Sequence, residues 1–433
     1  MLKYIQIAIG VILTSFYIFP VEFFVLNGAN TKLVMAVVGG VLLLVDTARG
    51  RTQLVRNSFL ILTAIASIVS LIGYTSVTIN ETPDYAYASY IVSMWVWLCA
   101  AYLLYRVLTY IHLEVNISHV CYYVIGVCVL QCVLAMLIDL YQPIQEFADG
   151  LMDNSFMIER KRLYGIGATL DTAGGRFSIA IFMIIYMILY RISLSDLGSK
   201  PLLLGMAFAY VVLVVIGNMI ARTTIIGIAV SLVYFLLVRK WAPPMKTQIV
   251  KKFIGLLVAL CLLVVPLLVY CYNQDDKFQR QIRFGFEGFF SLVEHQQWHI
   301  GSNEQLRNMI VFPDNAKTWV IGDGYFNNPD VVDPLYIGED IGGFYKGTDI
   351  GYLRFIFFFG VLGCGAFMFF MYRACILCSF RIPKDALLFV GILIINYIIW
   401  FKVATDMFFI FALFLWVDDN IHSNDTAPLK SVQ

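Results

Sequence analysis

The chain has 433 residues, of which 60% are hydrophobic and 14% are charged, and its formal net charge is +1. Soluble globular proteins typically carry about 25% charged residues, so this composition excludes a soluble globule and predicts an all-α, polytopic membrane protein. A net charge so close to zero does not identify a partner, and no nucleic-acid partner is expected for this class of protein.

Apolar runs long enough to cross a hydrocarbon core of about 30 Å recur along the chain. They predict about twelve transmembrane helices, of which the last two come from short runs. The first run is long and ends in bulky residues, so no cleavable signal peptide is expected. The runs cover residues 4–26, 32–45, 59–77, 90–111, 120–140, 177–192, 202–216, 220–238, 253–272, 350–372, 387–401 and 403–417.

Lysine and arginine in short loops predict the orientation, because cytoplasmic loops carry an excess of these residues. With the N-terminus inside, the first two short connections on the outer side hold Lys32 as their one basic residue. Both termini are therefore expected in the cytoplasm. The inner side then receives Arg49, Arg51, Arg56, Arg106, Arg191, Lys200, Arg239, Lys240, Lys246, Lys251, Lys252, Arg373, Arg381 and Lys384.

This orientation divides the chain into four parts. Residues 1–272 hold nine transmembrane helices and an outer loop at 141–175, and residues 273–348 form a large periplasmic or extracellular loop. Residues 349–418 hold three more helices, and residues 419–433 form a cytoplasmic tail. The nine cysteines fall in or beside apolar runs and not in the large loop, so we expect small core residues and no disulfide framework there.

The large loop has the sequence signature of structure. Apolar residues at steps of three and four predict an amphipathic helix on the membrane surface, with Arg280 and Arg283 facing lipid phosphates. Ser302 precedes Gln305 by three residues, the spacing of a capping box that starts a second helix. Residues 319–321 then predict a strand that enters a glycine turn at 322–325. The stripe of the amphipathic helix is Phe278, Ile282, Phe286, Phe289 or Phe290, and Val293.

Several cations lie on the outer side or inside the hydrocarbon region, where the topology does not require them. Charges at membrane depth cost free energy, so a bound anion is expected to compensate them. Arg160 and Lys161 also fit a solvated charge run, and that alternative stays open. The cations are Arg160, Lys161, Arg162, Arg176, Arg222, Arg280, Arg283, Arg307 and Arg354.

Two pairs of residues near the last spans each allow a structural and a functional interpretation. Asp349 precedes an apolar run as an N-cap residue does, yet it also stands five residues before the buried Arg354 and is a candidate carboxylate for chemistry. Lys402 and Asp406 are four apart and pair with each other if one helix carries both.

The sequence predicts neither a metal site nor a cofactor. His295 and His299 are four residues apart, but no Glu-x-x-His frame surrounds them and no third ligand is evident. No Walker loop, dinucleotide glycine pattern or nucleophile elbow occurs in the sequence, so it does not support nucleotide-driven chemistry.

Five short motifs occur in a fixed order around the one large loop. They are Arg162-Leu163-Tyr164-Gly165, Ala221-Arg222-Thr223, Arg307, Gly322-Asp323-Gly324-Tyr325, and Asp349-Ile350-Gly351-Tyr352-Leu353-Arg354 followed by Gly360 and Gly363. In this order the motifs resemble the O-antigen polymerase (Wzy) family, within the wider O-antigen polymerase and ligase superfamily.

The resemblance implies a GT-C-like glycosyltransferase in the bacterial cytoplasmic (inner) membrane. Its substrates are oligosaccharides on undecaprenyl pyrophosphate, drawn from the lipid bilayer, and a chain-length regulator and a flippase are implied as partners. Asp349 is the candidate catalytic residue. The implied pyrophosphate-binding residues are Arg162, Arg176, Arg222, Arg307 and Arg354.

Two alternatives to a polymerase stay open. Ligases of the superfamily carry a histidine near the end of the long loop, whereas this sequence has no histidine between His299 and His422, which favours the polymerase. A flippase for the same lipid-linked sugars is the other alternative, although we find no internal repeat of the kind that transporters often show.

Overall fold

The computed structural model describes residues 2–24, 29–53, 56–152, 155–192, 199–241, 247–338 and 343–417. In these ranges the regular elements are helices, and extended segments pair as isolated bridges between Glu22 and Asn30 and between Asn327 and Phe344. Among the described residues, eight helices are long and apolar enough to cross a membrane. The predicted all-α membrane class is thus confirmed, and the predicted tail 419–433 lies outside the described residues.

The helices follow one another closely along the chain. Two of them continue as π-helix, α8 through Met187–Ile192 and α9 through Leu213–Gly217. The elements are α1 (Leu2–Ile18), α2 (Thr31–Ala48), α3 (Asn57–Asn80), α4 (Tyr90–His112), α5 (Ile117–Leu140), α6 (Gln142–Leu151), α7 (Ser155–Glu159), α8 (Leu170–Tyr186), α9 (Lys200–Val212), α10 (Ile225–Trp241), α11 (Thr247–Gln274), α12 (Asp276–Gly285), α13 (Glu287–His295), α14 (Gly301–Asn308), α15 (Ala316–Val320), α16 (Pro329–Val332), α17 (Gly351–Arg381), α18 (Ala386–Ile399) and α19 (Phe408–Phe414).

Each predicted apolar run corresponds to a helix, but the helices differ in length. The eight long ones are α2, α3, α4, α5, α8, α9, α11 and α17, the last having 31 residues. The remaining runs form the shorter helices α1, α10, α18 and α19, of which α19 has seven residues. Since about 20 residues are needed to span a hydrocarbon core, the count of twelve spans stays a prediction.

Helix α8 lies at the centre of the bundle and α11 at its edge. Within the apolar stretch of each helix, 83% of the residues of α8 are buried, against 6% of the residues of α11. Helix α8 packs on α5, α10 and α18, whereas α11 packs mainly along α9. The surface of α11 is therefore left for lipid, and the elements around α8 position the polar groups of the molecule.

Helix α17 is interrupted inside its apolar run. Phe359 has φ −140° and Gly360 has φ 68° with ψ −176°, a backbone region that is open almost only to glycine. The break frees the carbonyl groups of the preceding turn. The backbone N–H groups of Asp323 and Gly324 bond to the Phe357 and Phe358 oxygens at 2.6 and 3.1 Å, so the predicted glycine turn closes the break.

Three details of the predicted loop are wrong. Residues 316–320 are helix α15 instead of a strand, because the Asn315 side chain accepts a hydrogen bond from the Thr318 N–H at 2.9 Å and starts a helix. Helix α14 begins at Gly301, and Ser302 does not cap it. The amphipathic helix is divided at Phe286 into α12 and α13.

The apolar stripe of α12 and α13 faces the protein for most of its length. Ile282 is buried, and Phe278, Phe286 and Phe290 pack partly buried against the main core, while Val293 is exposed. The periodicity therefore reflects packing on the helix bundle. This packing places α12 over the junction between α9 and α10.

Candidate functional site

The junction between α9 and α10 fixes the position of Arg222. Ala221 is extended (φ −152°, ψ 121°) and ends the helix, and Arg222–Thr224 form one 3₁₀ turn before α10 begins. The Ser178 hydroxyl donates to the Thr223 carbonyl at 2.9 Å and accepts from the Gly227 N–H at 3.1 Å, tying the turn to α8. Arg222 is thereby held at a helix end beneath the long loop.

Arg162 and Arg222 meet on the ring of Phe284, a residue of α12. The guanidinium carbon lies 4.8 Å from the ring centroid for Arg162 and 4.3 Å for Arg222. Arg222 also forms an ion pair with Glu287, whose other oxygen accepts from the Gly301 N–H at 3.0 Å. The ring thus brings together two cations from segments 60 residues apart in sequence.

The segment after Arg162 is inserted between α1 and α5. The side-chain oxygen of Gln131 accepts from the Ile166 N–H at 2.9 Å, and its amide donates to Ser15 at the same distance. Gly167 has φ +71° and approaches the Phe19 carbonyl so closely that a Cβ would lie 2.9 Å from it. This seating fixes the backbone that carries Arg162.

Four cations line one pocket of about 590 Å³ next to Phe284. They are Arg160, Lys161 and Arg162 from the loop after α7 and Arg280 from α12, and we call this space the basic pocket. A second cavity of about 270 Å³ shares the last three of these cations and adds the Lys277–Asp139 ion pair, in which nitrogen and oxygen lie 2.8 Å apart. Together the two spaces present more positive than negative charge.

The pKa of Arg162 is lowered, mainly because the guanidinium is partly buried and secondly because Arg222 lies beside it. Asp171 acts in the opposite direction on the same group. The two arginines repel each other in a poorly hydrated place, so an anion bound between them lowers the free energy of the cluster. The arrangement is suited to a phosphate group, which a guanidinium binds through two parallel hydrogen bonds.

Lys402 pairs with Asp171 and not with Asp406, so the predicted pairing is wrong. Its ammonium lies 2.9 Å from the Asp171 carboxylate, which also accepts from the Thr223 hydroxyl at 3.1 Å. Helix α18 ends at Ile399, so no single helix carries both Lys402 and Asp406, and Asp406 accepts from the Phe408 N–H instead. Asp171 therefore connects the Arg222 turn to the segment after α18.

Arg354 is buried at the start of α17 between two aromatic rings. Its guanidinium carbon lies 3.7 Å from the Phe326 centroid and 3.9 Å from the Phe344 centroid. It donates to the Phe326 carbonyl at 3.2 Å and to the Asn327 side chain at 2.9 Å. The other terminal guanidinium nitrogen of Arg354 lies 3.7 Å from a carboxylate oxygen of Asp349.

Asp349 does not cap α17, so the capping interpretation is wrong. The helix begins at Gly351 after the N-cap residue Ile350, without a side-chain cap. One Asp349 oxygen is buried and has no hydrogen-bond partner in the described part of the chain. Burial raises the pKa of Asp349 to about 6, while Arg354 acts to lower it, Asp171 to raise it and Lys402 to lower it.

The predicted site residues thus form two groups and leave two residues apart. Arg162 and Arg222 share Phe284, and Asp349 pairs with Arg354. The guanidinium of Arg176 lies over Phe19 and Phe409 in the bundle, and Arg307 is exposed on α14. Neither Arg176 nor Arg307 is among the residues that line the basic pocket.

Sequence reasoning missed Asp171, Lys402 as its partner, Phe284 and Glu287. A signal for the Asp171 region was the Gly174–Gly175 pair, since a Cβ on Gly174 would overlap the Thr223 hydroxyl. In the described residues no group of three or more His, Cys, Asp and Glu side chains could hold a metal ion. His299 lies 3.0 Å from Glu304.

Comparison of the chain with models of protein families, with curated proteins and with solved structures found no match.

Proposed function

We propose that this protein is a polysaccharide polymerase of the Wzy type. It transfers a growing O-antigen, capsule or exopolysaccharide chain from undecaprenyl pyrophosphate to a lipid-linked repeat unit. The transfer takes place at the outer face of the cytoplasmic membrane. The observation that carries the proposal is the basic pocket, where Arg160, Lys161, Arg162 and Arg280 converge from two segments beside Arg222.

The pocket suits the leaving group of this reaction. When the bond between the anomeric carbon and the pyrophosphate breaks, the pyrophosphate oxygen keeps the electron pair and gains negative charge. Guanidinium groups held in place beforehand stabilise such charge better than water does, because they need no reorganisation. In this proposal Arg162, Arg222 and Arg280 contact the pyrophosphate, while the predicted contacts from Arg176, Arg307 and Arg354 stay predictions.

Asp349 is the proposed general base. A hydroxyl of the acceptor sugar attacks the anomeric carbon of the donor, and its proton passes to the Asp349 carboxylate. A pKa of about 6 makes the carboxylate both mostly ionised at neutral pH and more basic than an ordinary aspartate. Arg354, held by Phe326 and Phe344, keeps Asp349 at the mouth of α17.

The rest of the proposal concerns location and partners. The chain is placed in a bacterial inner membrane with twelve spans, a GT-C-like arrangement and both termini in the cytoplasm. The segments that form the basic pocket then face the periplasm or the exterior. There the lipid-linked repeats arrive from a flippase, and a chain-length regulator limits the polymer.

The broken helix α17 is a feature that favours a transporter, since transporters bind ions and substrates at unwound helices. Here the freed carbonyls of Phe357 and Phe358 accept hydrogen bonds from the Asp323–Gly324 turn and from the Ser76 hydroxyl at 2.7 Å. Protein donors therefore already satisfy these oxygens. This favours a structural role for the break over an ion-binding site.

Deletion of the gene, followed by electrophoresis of the surface polysaccharide, tests the proposal. A polymerase deletion loses the ladder of polymer and keeps material that carries a single repeat. A flippase deletion loses both from the cell surface, and a ligase deletion leaves polymer on the undecaprenyl carrier. Complementation with wild type, with Arg162→Ala and with Arg222→Ala shows whether the basic pocket and the neighbouring Arg222 are required.

A further inference from the structure

An apolar groove of about 630 Å³ lies between α9 and α11, away from the basic pocket. Pro201, Leu203 and Leu204 line one wall, and Gly255 and Leu256 line the other. The polar residues of the lining are Lys200 and Lys252, from the first and second turns of these helices. The groove thus joins an apolar channel to two cations at one end.

Both helices start at this end, since their N-terminal portions form the two walls. Lys200 and Lys252 are exposed, and neither has an ion pair with another described residue. These lysines belong to the set that predicts the cytoplasmic side. The inner leaflet carries anionic lipids, and a helix N-terminus adds a further positive field.

We infer that this groove binds one anionic phospholipid, with an acyl chain along the apolar wall and the phosphate between Lys200 and Lys252. Ordinary lipid around a membrane protein needs no such pairing of charge and groove. The two cations favour an anionic headgroup, and the apolar wall of the groove contacts the acyl chain. This inference is independent of the proposed function.

Gly255 offers a direct way to fill the groove. A Cβ built on it meets no other atom within 4 Å, and Gly255 lines the groove, so a larger side chain at this position is expected to occupy groove space. Gly126 on α5 is equally open and serves as a matched control. Both changes replace glycine inside a helix, which favours folding.

The test uses the purified full chain in detergent and native mass spectrometry with phosphatidylglycerol or phosphatidylcholine. We expect one phosphatidylglycerol to bind more tightly than phosphatidylcholine. Removal of one lysine, Lys200→Ala or Lys252→Ala, should weaken phosphatidylglycerol binding about fivefold and leave phosphatidylcholine unchanged. Gly255→Leu should weaken both lipids, whereas Gly126→Leu and Lys251→Ala should have little effect.

Other outcomes overturn the inference. Equal lipid binding in all variants would mean that the groove holds ordinary boundary lipid. Displacement of the lipid by inorganic phosphate at millimolar concentration would show a phosphate site without a role for the acyl chain. Formation of a dimer that Gly255→Leu abolishes in lipid-free detergent would assign the groove to a second copy of this chain.

Discussion

The ring of Phe284 brings two arginines together. Its ring contacts the guanidinium groups of Arg162 and Arg222, which otherwise repel each other. Each cation–π contact contributes about 0.5–2 kcal/mol, depending on how dry the site is. The ring therefore holds two cations close together before any anion arrives, which is the preorganisation that a leaving-group site needs.

We expect Arg222→Ala to abolish polymer formation while the protein remains in the membrane at its normal level. Arg222→Lys keeps the charge but loses the planar fork and the contact with Phe284. Since a charge-assisted hydrogen bond contributes about 1.5–3 kcal/mol, its polymer yield should fall roughly ten- to a hundredfold. Membrane vesicles supplied with lipid-linked repeat units provide the measurement.

Arg283 is the matched control for this substitution. It lies one residue before Phe284, pairs with Glu294 at 2.6 Å and is partly exposed, so a lysine there satisfies the same carboxylate. Arg283→Lys should keep nearly full activity. Equal activity of Arg222→Ala and wild type would remove Arg222 from the proposed pyrophosphate site.

Asp349 predicts a pH dependence of the reaction. A general base acts only when ionised, so the rate should fall about tenfold per unit as the pH drops below the pKa of about 6 and should level off above it. Asp349→Asn should be folded and inactive at every pH. Near-normal activity of this variant would show that the carboxylate is not required, and the base would have to be sought at Glu304 or Asp323.

Lys402 and Asp171 should move this pH profile in opposite directions. Lys402 lowers the pKa of Asp349, so Lys402→Gln should shift the midpoint to higher pH. Asp171 raises it, so Asp171→Asn should shift the midpoint to lower pH. A merely structural role of this pair predicts lost activity without a shifted midpoint, and the two outcomes separate in a rate measurement from pH 5 to pH 8.

At the residue scale, the sequence indicated candidate cations but not what each one contacts. Arg162 and Arg222 could be selected because topology gave no reason for them. The Lys402–Asp171 contact joins residues 231 apart, and the Phe326–Arg354–Phe344 stack joins a loop to a helix, so no local spacing indicates either. Local pattern in fact suggested the wrong partner for Lys402.

At the scale of elements, the break in α17 and the glycine turn that closes it form one unit. Asn80 donates to the Gly322 carbonyl at 3.1 Å, and Thr82 donates to the Gly324 carbonyl at 2.8 Å. The turn is therefore bound to the end of α3 as well as to the break. It anchors the long loop on the bundle and so positions the segment that leads to Asp349.

Gly360→Ala should disrupt this unit. Its Cβ would overlap the Val320 carbonyl oxygen, and its backbone region costs a non-glycine residue about 1–3 kcal/mol. We expect a loss of at least about 2 kcal/mol in stability and a lower level in the membrane. The control is Gly365→Ala in the same helix, where a Cβ meets nothing within 4 Å and stability should rise slightly.

Thermal unfolding in detergent measures both variants. If Gly360→Ala is as stable as Gly365→Ala, the break is not held by the turn. The two variants share one helix and one type of substitution, so they differ in the backbone conformation of the glycine and in the contact of the new Cβ with Val320.

Helix positions were predictable because an apolar run of 20 residues in lipid has to satisfy its own backbone hydrogen bonds. The loop was harder to predict. A triplet such as Trp319-Val320-Ile321 has strand propensity, but the Asn315 cap and the contact of α15 with α17 override it. The Ser302 capping box failed for a local reason, because the helix begins at Gly301 and Ser302 therefore lies inside its first turn.

At the scale of the whole molecule, the polar groups are unevenly distributed. The basic pocket, Asp171 and Asp349 lie around the ends of α8, α10 and α17, where the long loop covers the bundle. The apolar groove lies at the opposite, N-terminal end of α9 and α11. One end of the bundle thus carries the proposed chemistry, and the other carries lysines from which the cytoplasmic side is predicted.

The proposed function depends on the orientation of the chain in the membrane, which cysteine labelling can test. Ala316 is exposed at the start of α15 and does not take part in the cap that Asn315 makes, so Ala316→Cys leaves the loop intact. It should react with a membrane-impermeant maleimide in intact cells or spheroplasts. Lys384→Cys, exposed in the turn before α18, should react only after the membrane is opened. The wild type controls for native cysteines such as Cys271, which is partly exposed at the end of α11. The reverse labelling pattern would place the basic pocket in the cytoplasm, where the proposed lipid-linked substrates are not polymerised.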